Sequence, residues 1–165
     1  MTSSRCTFKT LVLLGFCAVA TAVTVPAQAD QNDPLVTLYV FPGVFDDASP
    51  SFQGVATVVS CTNFSSKTER IQFVLFNRDG SIVSNQTALI ENLQTVTAGT
   101  HPTNLYLINL LIDPTAVPVR QGFIGIQATS PAMVCTAQVV DAAALVPSGI
   151  HLHGVRYNAV PGSQE

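Results

Sequence analysis

The chain has 165 residues, a formal net charge of −3, only 10% charged residues and 47% hydrophobic residues. Its seven Lys and Arg residues are scattered rather than clustered, which argues against nucleic acid as a partner because phosphate contacts need grouped positive charge. The length suits one domain that buries its own core without a metal to fold it.

Residues 1–29 are predicted to be a signal peptide that is removed. Two basic residues precede an almost wholly apolar run at 11–25, and Ala-Gln-Ala at 27–29 provides the small-x-small pattern of a cleavage site. The run is shorter than the roughly 20 residues that span a bilayer, so no stable membrane span is expected after removal, with a retained anchor as the alternative. The mature chain would begin at Asp30, in the periplasm or outside the cell.

The remaining 136 residues alternate with a period of two, which predicts strands rather than helices. Residues 30–53 are interpreted as an N-terminal strand and turn-rich lead-in that belong to the domain, and residues 54–165 as its β-sandwich core. The predicted strands lie in 35–41, 54–64, 70–77, 122–129, 132–140 and 150–157.

Turn residues divide these strands. Asp79-Gly80 predicts a tight hairpin that pairs the strand ending near Phe76 with one starting near Ser81. A second reversal is expected at 128–133, and prolines leave no long window for a helix elsewhere. The segment 105–113 fits one or two helical turns, a strand or an apolar loop.

Two cysteines, Cys61 and Cys135, lie outside the signal peptide. In an oxidising compartment such a pair most simply forms one disulfide, and a redox role is disfavoured because Cys-x-x-Cys is absent from the sequence. Alternation places both side chains on apolar inner faces, so we expect the disulfide to join two sheets. Closing this loop would contribute about 4 kcal/mol.

These features predict an all-β fold, a single antiparallel β-sandwich of about seven to eight strands with one disulfide. The stretch VVSCTNFSSKTERIQFVLFNRDGSIV resembles bacterial immunoglobulin-like modules. Together with MVCTAQVVDA and GIHLHGVRYNAVPGSQE, it is similar to small exported bacterial proteins of uncharacterised role. The resemblance implies an immunoglobulin-like sandwich and no catalytic residue.

Familiar catalytic motifs are missing from the sequence, including nucleophile elbows, phosphate loops and dinucleotide fingerprints. A non-enzyme is therefore expected, with an enzyme of unrecognised type as a weaker alternative. Asp46-Asp47 lies in a turn-rich stretch, where carboxylates usually cap turns, with a weak cation site as the alternative. Asn63 and Asn85 fit the glycosylation acceptor pattern, which matters only in a host that glycosylates exported proteins.

His151 and His153 form the one His-x-His pair of the chain. On an extended strand, alternate residues lie about 6.5 to 7 Å apart on one face, from which two imidazoles can converge on Cu or Zn. The third ligand would come from His101, Asp141, Met133 or another carboxylate. The other interpretation places both rings on the solvent face of an edge strand, with Ile150 and Leu152 packed inward.

The most apolar stretch after the signal peptide, 103–112, is either core or a partner-binding strand. The sequence as a whole favours an exported, non-catalytic binding or structural module of the cell envelope, which presents loops or a sheet edge to a protein or glycan partner. The alternative is a periplasmic Cu or Zn protein that uses the histidine pair.

Overall fold

A computed structural model describes residues 30–157, so the predicted signal peptide at 1–29 and the last residues, 158–165, lie outside the described part. The described chain forms ten β-strands and no helix. The strands are β1 (Val36–Asp46), β2 (Val55–Asn63), β3 (Glu69–Phe76), β4 (Ile82–Ile90), β5 (Thr95–Gly99), β6 (Leu110–Leu111), β7 (Val119–Ala128), β8 (Met133–Asp141), β9 (Gly149–Leu152) and β10 (Val155–Arg156). Between residues 30 and 157 no helix is long and apolar enough to cross a membrane.

The strands form two sheets of five strands each. Sheet A has the order β10-β1-β7-β3-β4, and sheet B has the order β6-β5-β2-β8-β9. All pairings are antiparallel except that of β5 with β6. The all-β sandwich is confirmed; the strand number exceeds the prediction because β6 and β10 contain only two residues each, too few to show a periodicity.

The main core lies between the two sheets, where alternate residues of each strand point inward. Sheet A contributes Phe73 and Ile124, and sheet B contributes Val59, all with no exposed surface. Thr57 links the sheets through its hydroxyl, which accepts a hydrogen bond from the Phe45 amide at 3.0 Å and donates one to the Phe45 carbonyl at 2.8 Å. Such bonds satisfy buried backbone groups where a strand ends.

The disulfide between Cys61 and Cys135 is confirmed, but its expected placement between two sheets is wrong. The two residues lie directly opposite each other on the neighbouring strands β2 and β8 of sheet B, with their Cα atoms 4.2 Å apart. Both side chains face the core. Alternation fixes only which face of a sheet a side chain is on, so it cannot separate two strands of one sheet from strands of facing sheets.

The Asp79-Gly80 hairpin is confirmed, since β3 and β4 are antiparallel neighbours and Gly80 has a φ of +83°. The reversal at 128–133 is found too, although it carries the chain from β7 in sheet A to β8 in sheet B.

The predicted strand at 150–157 is wrong as a single element, because it is divided into β9 in sheet B and β10 in sheet A. The division occurs at Gly154, where an added Cβ would lie 2.2 Å from the ring of Phe41. Only glycine lets the backbone pass this close to an aromatic ring as the chain crosses between sheets.

Candidate functional site

The segment 100–112 covers part of the outer face of sheet B. Ala56 and Val58 of β2 are buried there, and Tyr106 and Ile108 pack against them. Of the stretch 103–112, Ile112 belongs to the main core, as one interpretation expected, whereas Leu107 is 83% exposed. Some apolar residues of this stretch are therefore in the core and others are on the surface. The stretch has no regular hydrophobic period, so the sequence did not predict which residues would be buried.

A groove of about 360 Å³ lies between this segment and the loop at 47–54. Its apolar wall is formed by Phe52, Pro102, Tyr106, Leu107, Ile108 and Leu111. No charged residue lines it. The volume is in the usual range for ligand-binding clefts.

The polar side-chain groups of the groove belong to Thr103, Asn109 and the Tyr106 hydroxyl, and the first two residues are hydrogen-bonded within the chain. The Thr103 hydroxyl accepts a bond from the Tyr106 amide at 3.1 Å and donates one to the Tyr106 carbonyl at 3.2 Å. The side-chain oxygen of Asn109 accepts a bond from the Thr97 amide at 3.0 Å. These groups hold the segment in shape, and the surface left for a ligand is mainly apolar.

Phe52 is held at the rim of the groove in a conformation that aromatic residues rarely adopt. Its φ is +66° and its side chain is 49% exposed. The Phe52 amide donates a 2.9 Å hydrogen bond to the Pro102 carbonyl, and the next carbonyl, that of Gln53, lies 2.9 Å from His101 Nε2. Left-handed backbone at a bulky residue persists only where the surroundings enforce it, and such positions concentrate at functional sites.

His101 anchors this loop from beneath. Its Nδ1 lies 3.0 Å from Asp46 Oδ2, and both side chains are buried. The two ring nitrogens therefore face two acceptors, a carboxylate and the Gln53 carbonyl. A neutral imidazole has one N–H and can donate to one of them, whereas a protonated imidazole donates to both.

Asp47 completes the cluster, because Asp46, Asp47 and His101 offer ligand atoms within 4.8 Å of one another. Partial burial acts to raise the pKa of Asp47, but hydrogen bonds from Ser49 and Val55 and the nearby charge of His101 outweigh it, and the pKa lies below its ordinary value of 3.8. Asp47 is therefore held as a carboxylate.

Among residues 30–157 this cluster is the only group of three His, Cys, Asp or Glu side chains close enough to share a metal ion. Carboxylate oxygens and an imidazole are suitable ligands for Zn and similar ions. To ligate, His101 would have to give up its bond to Asp46 or to Gln53. The sequence pointed to Asp46-Asp47 as a turn but gave no signal that His101, 55 residues after Asp46, lies beside them.

The histidine pair lies elsewhere. His151 is on β9 opposite Gln138, whereas His153 follows the end of β9, and both side chains are exposed. Within the described chain no third His, Cys, Asp or Glu side chain lies close enough to bind one metal ion together with this pair. Leu152 packs against the core as expected, but Ile150, at the start of the edge strand β9, is 73% exposed, contrary to the prediction.

The other residues proposed as a third ligand, Met133 and Asp141, have structural roles of their own. Met133 is fully buried in the main core. Asp141 is exposed at the end of β8, where its carboxylate accepts a hydrogen bond from the Ala143 amide at 2.9 Å. Cu or Zn binding by the histidine pair stays a prediction.

Of the two predicted glycosylation acceptors, Asn63 is buried, and its amide group donates to the carbonyls of Lys67 and Ile90 at 2.8 and 2.9 Å. In the folded chain this nitrogen is unavailable to a transferase. Asn85 is exposed on β4.

Comparison of the chain with protein families, with curated proteins and with solved structures gave no match. The resemblance to bacterial immunoglobulin-like modules therefore stays a prediction.

Proposed function

We propose that the protein is an exported, non-catalytic binding module that captures an apolar segment of another protein in the groove between loop 47–54 and segment 100–112. The observation that carries the proposal is Phe52, an exposed aromatic residue held at a φ of +66° at the rim of a groove with an exposed leucine, Leu107. Exposed apolar patches bounded by polar surface are typical of protein-binding sites.

The chemistry of the groove favours a protein over a glycan. A sugar needs several free hydrogen-bonding groups beside an aromatic platform. Here Thr103 and the side-chain oxygen of Asn109 are already bonded within the chain, which leaves the Tyr106 hydroxyl and the Asn109 amide nitrogen for a ligand. An ionic ligand would find no counter-charge, because the groove is lined by uncharged residues. Aliphatic and aromatic side chains fit such a surface, since their burial is favourable in proportion to the area removed from water.

The surrounding structure supports a binding role rather than chemistry. The carboxylates and imidazole of the neighbouring cluster do not line the groove: Asp46 and His101 are buried and bonded to each other and to backbone atoms, and Asp47 accepts a hydrogen bond from the Ser49 amide, so the cluster fixes the loop. A groove that is already formed avoids much of the entropic cost of ordering loops on binding. Export is supported by the signal-like sequence at 1–29 and by the disulfide.

Peptide selection from a random library displayed on phage, against the disulfide-bonded protein, tests the proposal. We expect the selected peptides to carry aromatic or aliphatic anchors. Leu107→Asp should weaken their binding about tenfold or more, since it introduces a charge that the bound peptide would desolvate. The matched control is Leu89→Asp, which alters an exposed leucine of β4 in sheet A and should leave binding unchanged.

A further variant tests whether binding depends on the shape of the groove or is non-specific binding to exposed apolar surface. His101→Gln should weaken binding of the same peptides because it loosens the support of Gln53 and Phe52. Peptides that bind Leu107→Asp as well as the wild type, or a selection that yields no specific peptide, would refute the proposed function.

A further inference from the structure

A strained bulge lies in β7, away from the groove. The pairing of β1 with β7 shifts between Val44↔Gly122 and Phe45↔Arg120, so Gln121 has no partner on β1. Its φ is +61°, in the left-handed region that favours glycine. Bulges of this kind redirect neighbouring side chains and occur often beside functional sites.

Gly122, the residue that follows the bulge, is packed closely against the end of β3. A Cβ added to Gly122 would lie 2.3 Å from the carbonyl oxygen of Phe76 and 2.6 Å from the Val119 side chain. The backbone of β7 therefore runs close against the end of β3. This close approach lies directly beside Arg120 and Gln121.

A cleft of about 500 Å³ lies at this point, between the bulge and the hairpin that joins β3 to β4. We call it the arginine cleft, and it is lined by Phe45, Asn77, Arg78, Pro118, Arg120 and Gln121. No acidic residue lines it. Asp79, next in sequence to Arg78, binds the Ser81 amide and hydroxyl at 3.0 and 2.6 Å, and so is committed to the hairpin turn.

The arginine cleft concentrates positive charge in an acidic chain. It holds two of the five basic residues found after residue 29, against ten acidic ones. Within residues 30–157 the single ion pair is that of His101 with Asp46, so neither Arg78 nor Arg120 lies within ion-pair distance of a carboxylate there. The hydrogen bonds from Ser81 and, to a smaller extent, the charge of the neighbouring Arg78 lower the pKa of Asp79. Two unpaired guanidinium groups are donors suited to the planar or tetrahedral oxygens of an oxyanion.

We propose that the arginine cleft binds an oxyanionic group, a phosphate, sulfate or carboxylate, through Arg78 and Arg120, with the amides of Asn77 and Gln121 as further donors. Gln121 keeps its strained backbone because its side chain serves this site where glycine would suit the bulge alone. The inference is independent of the apolar groove and stands whether or not that groove binds a peptide.

The test is an NMR titration of the disulfide-bonded protein with inorganic phosphate, sulfate and acetate in turn, at constant ionic strength. We expect saturable shifts of the amides of residues 77, 78, 120 and 121 and of the arginine Nε–H groups. Arg78→Gln and Arg120→Gln should each raise the dissociation constant of the preferred anion about tenfold or more. The anion that saturates these shifts at the lowest concentration identifies the class of ligand.

Two comparisons make the outcome decisive. Lys67→Gln removes the same charge from an exposed site outside the cleft and should leave the titration unchanged. Gln121→Gly should raise the melting temperature by relieving the left-handed strain while it weakens anion binding. Shifts that do not saturate, that persist in both arginine variants, or that Lys67→Gln removes equally would overturn the proposal.

Discussion

The imidazole of His101 is held between the carboxylate of Asp46, 3.0 Å from Nδ1, and the carbonyl of Gln53, 2.9 Å from Nε2. These two contacts connect the end of β1, the loop at 47–54 and the start of the segment that covers sheet B. The position of the exposed Phe52 at the rim of the groove therefore depends on the buried polar contact between Asp46 and His101, which are 55 residues apart in the sequence.

Removing either member of this pair should destabilise the fold. His101→Gln and Asp46→Asn are each expected to lower the free energy of unfolding by about 2 to 4 kcal/mol, because each leaves a buried polar partner incompletely satisfied. Urea denaturation of both variants and of the double variant measures the coupling. The double variant should lose less than the sum of the single losses; additive losses would show that the two side chains act independently.

Asp47 makes the free energy of unfolding depend on pH under acidic conditions. Because its pKa in the folded chain is below its ordinary value of 3.8, the carboxylate stabilises the fold above pH 3.8, and this contribution is lost as the pH falls through the folded pKa. Ser49→Ala removes the hydrogen bond from the Ser49 hydroxyl but keeps the one from the Ser49 amide, so it should raise the pKa of Asp47 part of the way toward its ordinary value and reduce the contribution. Carboxyl ¹³C NMR titration of both proteins measures the pKa directly, and an unchanged value in Ser49→Ala would contradict the contribution assigned to the Ser49 hydroxyl.

The Cys61–Cys135 disulfide should matter for stability and little for the arrangement of strands. A Cys61→Ala, Cys135→Ala variant is expected to unfold with a free energy lower by about 4 kcal/mol, the loss that chain entropy assigns to a loop of this length. Since the two residues are already neighbours on paired strands, the folded variant should keep its strand pairing. Thermal unfolding measures the first expectation and amide hydrogen exchange in β2 and β8 the second.

Metal titration distinguishes the two histidine sites. With no third ligand of the usual types beside His151 and His153 in the described chain, we expect the pair to bind Zn(II) and Cu(II) only weakly. Calorimetric titration of the untagged protein and of a His151→Ala, His153→Ala variant measures this. Stoichiometric submicromolar binding that the variant abolishes would instead establish the pair as a metal site, and binding that only His101→Gln abolishes would place the ion at Asp46 and Asp47.

The sequence by itself determined the local and covalent features. The period of two predicted strands, Asp79-Gly80 predicted the hairpin, and the two cysteines after residue 29 predicted the disulfide, all of which the structure contains. These properties depend on a residue and its near neighbours, or on the simple number of partners, so the printed order of residues is enough to read them.

Tertiary structure alone decided which strands share a sheet and which distant side chains meet. It placed Cys61 and Cys135 within one sheet, divided 150–157 between two sheets, and brought His101 beside Asp46. Alternation gives the face of a strand but carries no information on its neighbours, which follow from packing the two sheets against one another. The groove at Phe52 and the arginine cleft at Gln121 arise from the same long-range packing, which enforces left-handed backbone where the local sequence would not adopt it.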